Sequence, residues 1–138
     1  MVDEGIRIVE RHWIYRHSVA VRVTHWLNAL TLLVMLMSGL QIFNAHPALY
    51  WGQGSVFNAP WAAITSSDGE KEEDPQRGVT TISGHSFTTT GILGLSNNST
   101  GQPQERAFPS WATIPSEQNL ASGRRWHFLF AWLLVSTA

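Results

Sequence analysis

The sequence predicts an all-α integral membrane fold: an up-and-down helical bundle, here one full transmembrane helix, a long loop and an incomplete second helix. Three observations predict it. Apolar residues concentrate in two runs, Val19 to Phe43 and Trp126 to Ala138, whereas a water-soluble fold spreads them more evenly. From Trp26 to Phe43 the chain carries no formal charge. Between the runs, Asn44 to Ser122 is rich in Gly, Pro, Ser and Thr and shows no strong periodicity that would mark a competing core.

Residues 1–18 are expected to form a cytoplasmic segment. Arg7, Arg11, Arg16 and Arg22 lie in or just beyond it, and positive residues in short flanks favour the cytoplasmic side. Asp3, Glu4 and Glu10 interrupt any secretory signal, and no small-residue cleavage site follows the first apolar run. Residues 19–43 are the first transmembrane helix. Its length, about 37 Å at 1.5 Å per residue, exceeds a hydrocarbon core of about 30 Å, and Gly39 within it is tolerable in lipid.

Residues 44–123 form an outer, periplasmic loop. The acidic run of Asp68, Glu70, Glu72, Glu73 and Asp74 beside Pro75 reads as a solvated tip. Trp51, Trp61 and Trp111 are expected at the membrane interface or against a partner. Asn97 and Asn98 fit the N-x-[ST] pattern, which is too short to carry functional weight. Residues 124–138 start a second transmembrane helix at Arg124-Arg125, about 22 Å long and too short to cross. No breaker or cap closes it. The chain is therefore expected to be the N-terminal part of a longer multi-pass protein, or a truncated copy of one.

The net charge of -1 gives no reason to expect a nucleic-acid partner. The absence of cysteine excludes disulfides, thiolate ligation of iron-sulfur clusters and covalent c-type haem within the chain. No carboxylate or nucleophile is arranged with a histidine as a catalytic group.

The informative residues are His25 and His127, each a few positions inside the start of an apolar helix. Ionisable groups at such depth are costly and usually functional. Neutral imidazole is a standard axial ligand of haem iron, so His25 and His127 are candidate metal ligands for non-covalently held haem b. Arg22 lies one helical turn before His25, and Arg124 and Arg125 precede His127 in the same way. Guanidinium groups there suit haem propionates.

Gly39, fourteen residues after His25, offers a flat notch on the same helix face, about 21 Å away, for a second macrocycle or for close helix packing. Ala131 and Ala138 place small side chains on the face that carries His127. With antiparallel helices, the two imidazoles lie about 20 Å or more apart and cannot share one iron. Two haems follow if both ligate, each needing a further ligand. His46, just past the first helix, is a candidate contact to the outer haem or a quinone, or a loop-anchoring hydrogen bond. Surface roles are the default for His12, His17 and His85.

RHSVAVRVTHWLNAL, MSGLQIFNAHPALYWG, GRRWHFLFAWLL and the loop stretch FPSWATIP together cover about half of the chain. In them it resembles the transmembrane b-type cytochrome subunits of nickel-iron hydrogenases, formate dehydrogenases and, most closely, the thiosulfate-reductase type. The resemblance implies a bacterial inner-membrane bundle of four or more helices in membrane lipid, binding two haems b. It implies electron transfer between a quinone pool and an attached catalytic subunit, a molybdopterin oxidoreductase by preference. His25 would be the cytoplasmic-side ligand and His127 the outer-side one, with partner histidines on a later helix. Such a chain is an electron-transfer subunit rather than a catalyst. The rival expectations are a non-redox membrane anchor, or a non-functional fragment, in which the histidines only pack or snorkel, and a transporter-like hairpin. No acidic residue lies within either helix to serve the last.

Overall fold

The computed structural model describes residues 17–68 and 75–137. The readings placed on Arg7, Arg11, His12, Arg16, Glu70 to Asp74 and Ala138 lie outside the described residues.

Helix α1 spans Val19–Phe43. Ser18 caps it: its backbone is extended and its hydroxyl accepts from the Val21 N–H at 3.3 Å, satisfying one of the donors that a helix start leaves open. Asn44 closes the other end, its N–H reaching the carbonyls of Ile42 and Leu40, and Pro47 follows where a helix cannot continue. Helix α2 spans Leu120–Thr137. Its start is four residues earlier than the sequence suggested. Asn119 accepts the Ser122 N–H at 2.9 Å as a cap, and Gly123, read as a boundary, is instead a buried helical position.

The two helices pack antiparallel, and their polar contacts fix the register. Asn28 and Thr137 exchange hydrogen bonds through Asn28 Nδ2 and Thr137 Oγ1; Ser38 meets His127; Gln41 lies over Gly123, where an added Cβ would come within 2.9 Å of Gln41 Cγ. The buried side chains of α1 are Thr31, Ser38 and Gln41, at coiled-coil-like spacings of seven and three. Thr31 and Ser38 are 0% exposed, whereas Leu33 is 52% and Leu36 60% exposed. In water a helix buries its leucines. Polar and small residues inside with leucines outside is the arrangement that suits lipid, where apolar side chains gain nothing by leaving the solvent. α1 is long and apolar enough to span a membrane.

The expectation of an all-α bundle is overturned by the middle of the chain, which makes the fold mixed. Among the described residues, six antiparallel strands in two sheets lie between the helices. The first sheet runs in order β1 (Ala48–Leu49), β2 (Ala62–Ser67), β3 (Arg77–Ile82), β4 (His85–Thr88). The second pairs β5 (Gly94–Asn97) with β6 (Pro103–Arg106). Their sequences are rich in Thr and Ser with scattered Val, Ile and Phe, so the strand preference of β-branched residues acts without the apolar alternation that signals a strand. The β3–β4 hairpin closes with Ile82 opposite His85 across Ser83-Gly84, whose φ values of 49° and 81° match the twist that two-residue hairpins require.

The sheets meet backbone to backbone at two glycines. A Cβ on Gly78 would collide with the Leu93 carbonyl, and one on Gly94 with the Thr65 carbonyl and, at 2.9 Å, with Gly78 Cα. Around this contact Thr90 Oγ1 accepts the Gly78 N–H at 3.0 Å and the Gly78 carbonyl accepts from Thr89 at 2.8 Å. Within its strands and the residue after β6 the buried apolar side chains are Leu95 and Ala107, so shape and hydrogen bonding carry this small β unit more than a hydrophobic core does.

Candidate cofactor-binding groove

Phe108 to Pro115, the FPSWATIP stretch, docks the β unit on the helix pair. Asn44 Oδ1 accepts the Phe108 N–H at 2.8 Å, the Ile114 N–H donates to the Met37 carbonyl at 3.3 Å, and Gln41 Nε2 donates to the Glu117 carbonyl at 2.8 Å. Phe108 thereby reaches α1, its ring 5.8 Å from that of Phe43. Together with Leu32, Met35, Leu36, Gly39, Leu40 and His127, these two rings line an apolar groove of about 500 Å³, within the size range of small-molecule and cofactor sites.

Among the described residues, His127 is its one ionisable lining residue, and its orientation is set by hydrogen bonds. Nδ1 lies 3.1 Å from both the Met35 carbonyl and Ser38 Oγ, and the Ser38 hydroxyl donates to the same carbonyl at 3.1 Å. A carbonyl only accepts, so Nδ1 carries the proton. That tautomer leaves Nε2 with its lone pair for a ligand, the arrangement in which a backbone acceptor fixes a metal-binding imidazole. The ring sits against Gly39, whose added Cβ would be 3.7 Å from His127 Cε1. Among the described residues no cluster of three or more His, Cys, Asp or Glu could hold a free metal ion. An axial haem ligand needs no such cluster.

Arg106 secures the wall that carries Phe108. Only 2% exposed, it donates from Nε to the Phe108 carbonyl at 2.6 Å, from Nη1 to the Ser116 carbonyl at 2.9 Å and from Nη2 to Thr113 Oγ1 at 2.9 Å. Burial pushes its pKa below the usual guanidinium value, a cost offset by three neutral acceptors in the fork geometry. Arg106→Ala strands those acceptors. Hydrogen bonds to charged groups contribute about 1.5–3 kcal/mol each, so the variant should lose on the order of 3 kcal/mol, and Arg106→Lys most of that. Hydrogen exchange over residues 108–116 should speed up in both, and unchanged protection would contradict the role assigned to Arg106.

The other residues singled out in the sequence fall in different places. His25, exposed, lies beside Trp26, ring centroids 5.7 Å apart, and lines a second pocket of about 280 Å³ with His17, Val21, Arg22 and Trp26. Arg22 and His25 thus share one surface. His127 lies level with Met35 to Ser38, about 15–20 Å along the helix axis from His25, too far for two ligands of one iron at about 2 Å per bond. Arg124 and Arg125 are exposed, Arg124 just under one turn and Arg125 about half a turn before His127, outside the groove lining. His46 points its Nε2 at the Tyr50 hydroxyl, 2.9 Å away, and stacks on that ring; it does not line the groove.

Sequence reasoning missed Met35, Ser38, Phe43, Phe108 and Arg106 as parts of one site. Ser38 adjoins the flagged Gly39, and FPSWATIP contains Phe108; the link between them is tertiary. Comparison with known proteins gives no match to a family model, a curated protein or a solved structure. The resemblance to b-type cytochromes rests on the quoted motifs alone.

Proposed function

We propose that the chain forms part of a membrane electron carrier in which His127 supplies one axial ligand of a haem b. The carrying observation is that His127 Nδ1 is engaged by the Met35 carbonyl and Ser38 hydroxyl on an apolar groove, leaving Nε2 as the ligating nitrogen. The residues fit the group: an imidazole is held at Nδ1, the walls are aliphatic and aromatic, and Gly39 lies beside the imidazole. Haem, when bound, supplies one-electron chemistry. The chain's own contribution is to hold the imidazole in one tautomer, to exclude water with Phe43 and Phe108, and to place Arg124 and Arg125 within a turn of His127 for the propionates.

His25 with Arg22 forms the corresponding site at the other end of α1, for a second haem. On this reading the protein is a multi-pass subunit of the bacterial inner membrane, with residues 44–119 on the outer side. It passes electrons between a quinone pool and a molybdopterin-type catalytic subunit, and further axial ligands come from another helix. The rival, a non-redox membrane anchor, draws on the same hydrogen bonds, since Ser38–His127 also ties the helices together. A reduced-minus-oxidised spectrum of the purified membrane protein separates them. Split b-type bands are expected, and a spectrum without them removes the electron-transfer reading.

A further inference from the structure

Immediately past α1 the chain forms an uncharged aromatic surface. From Asn44 to Ser67 there is no Asp, Glu, Lys or Arg; charge resumes at Asp68 and, up to α2, is carried by residues 70–74 and by Arg77, Glu105, Arg106 and Glu117. Within this stretch Trp51 is 83%, Phe57 72% and Val56 60% exposed, and Leu49 and Trp61 are also exposed. The aromatic side chains of this segment group into two ring clusters, which together make up an aromatic pad. Trp51 and Trp61 rings lie 5.9 Å apart, Phe57 packs edge-on against Tyr50 and His46 at 5.8 and 5.9 Å, and the Trp61 N–H donates to the Leu49 carbonyl at 2.8 Å.

Such an exposed apolar patch needs an occupant, and two features choose among candidates. The pad follows the apolar helix α1 directly in the chain, since β1 begins only a few residues after the helix ends, and the Pro47 carbonyl ties this segment to β2 by accepting the Ile64 N–H at 2.9 Å. Its own segment, residues 44–67, carries no charge. Trp and Tyr, with apolar rings and one polar edge, favour the headgroup level of a bilayer.

We infer that residues 46–61 rest on the outer-leaflet lipid interface and set the β unit against the membrane surface. The inference depends on α1 crossing the membrane and is independent of haem. With no basic residue in the pad, its attachment is apolar rather than electrostatic, so anionic lipid and salt should leave it unchanged.

The chain has no cysteine, so single-cysteine variants carry a nitroxide label cleanly. In the full chain reconstituted into phosphatidylcholine vesicles, labels at Val56→Cys and, as a second position, Gln53→Cys should show a several-fold higher ratio of oxygen to aqueous nickel-chelate collision than a label at Ser86→Cys in β4. A ratio at Val56 and Gln53 equal to that at Ser86 overturns the inference. So does shielding from both reagents, which would mean that protein covers the pad. A Leu33→Cys label tests the span of α1 separately, so failure of that premise is distinguishable from failure of the pad.

Discussion

Gly94→Val is expected to unfold the β unit while leaving the helix pair formed. Gly94 has φ of 81°, which costs an L-residue roughly 1–2 kcal/mol, and its Cβ would strike the Thr65 carbonyl and Gly78 Cα across the junction of the sheets. Overpacking adds roughly 1–3 kcal/mol, and here the obstructing atoms are backbone that no rotamer change can move. A total of about 2–5 kcal/mol is large for a unit whose buried apolar residues are Leu95 and Ala107. Strand signal in circular dichroism should fall and proteolysis within residues 76–106 should accelerate, with helical signal retained. Gly84→Ala, with open space around its Cβ but a φ of 81°, should show only the smaller backbone cost. Equal effects of the two variants would mean that the glycine contact between sheets is unimportant.

The second large effect concerns the histidines. His25→Ala and His127→Ala should each remove a different b-type component, leaving about half of the haem absorbance, because their offset along α1 of about 15–20 Å precludes a shared iron. Ser38→Ala should keep the haem, since the Met35 carbonyl still accepts from Nδ1, yet shift the midpoint potential of the His127 component alone, as loss of a hydrogen bond to a ligating imidazole alters its basicity. If both histidine variants lose the same spectral component, the two-site assignment is wrong.

What the sequence makes legible is governed by the range of the forces involved. The apolar run Val19 to Phe43 is a local property, and α1 occupies it because Ser18 and Asn44 cap its ends. Gly123 misleads for an equally physical reason. Glycine is a common helix terminator, whereas here its missing Cβ admits Gln41 of the neighbouring helix, a fact that no local pattern contains. The strands escape notice because Ala62–Ser67 and Arg77–Ile82 have little apolar alternation, although Ser83-Gly84 between β-branched and aromatic residues is a hairpin signal present in the sequence. His25 and His127 stand out because imidazole is rare in such helices. The tautomer of His127 depends on Met35 and Ser38, 92 and 89 residues away, and the groove wall on Arg106 closing a loop around Phe108. Only the folded chain brings these together.

The central claim is that His127 ligates haem through Nε2, and haem counted per polypeptide tests it most directly. The pyridine haemochrome content of the purified membrane protein should fall by half in His127→Gly, and added imidazole, fitting the space left beside Gly39, should restore it. Unchanged haem content in a His127→Gly protein that keeps its helical signal would contradict the claim.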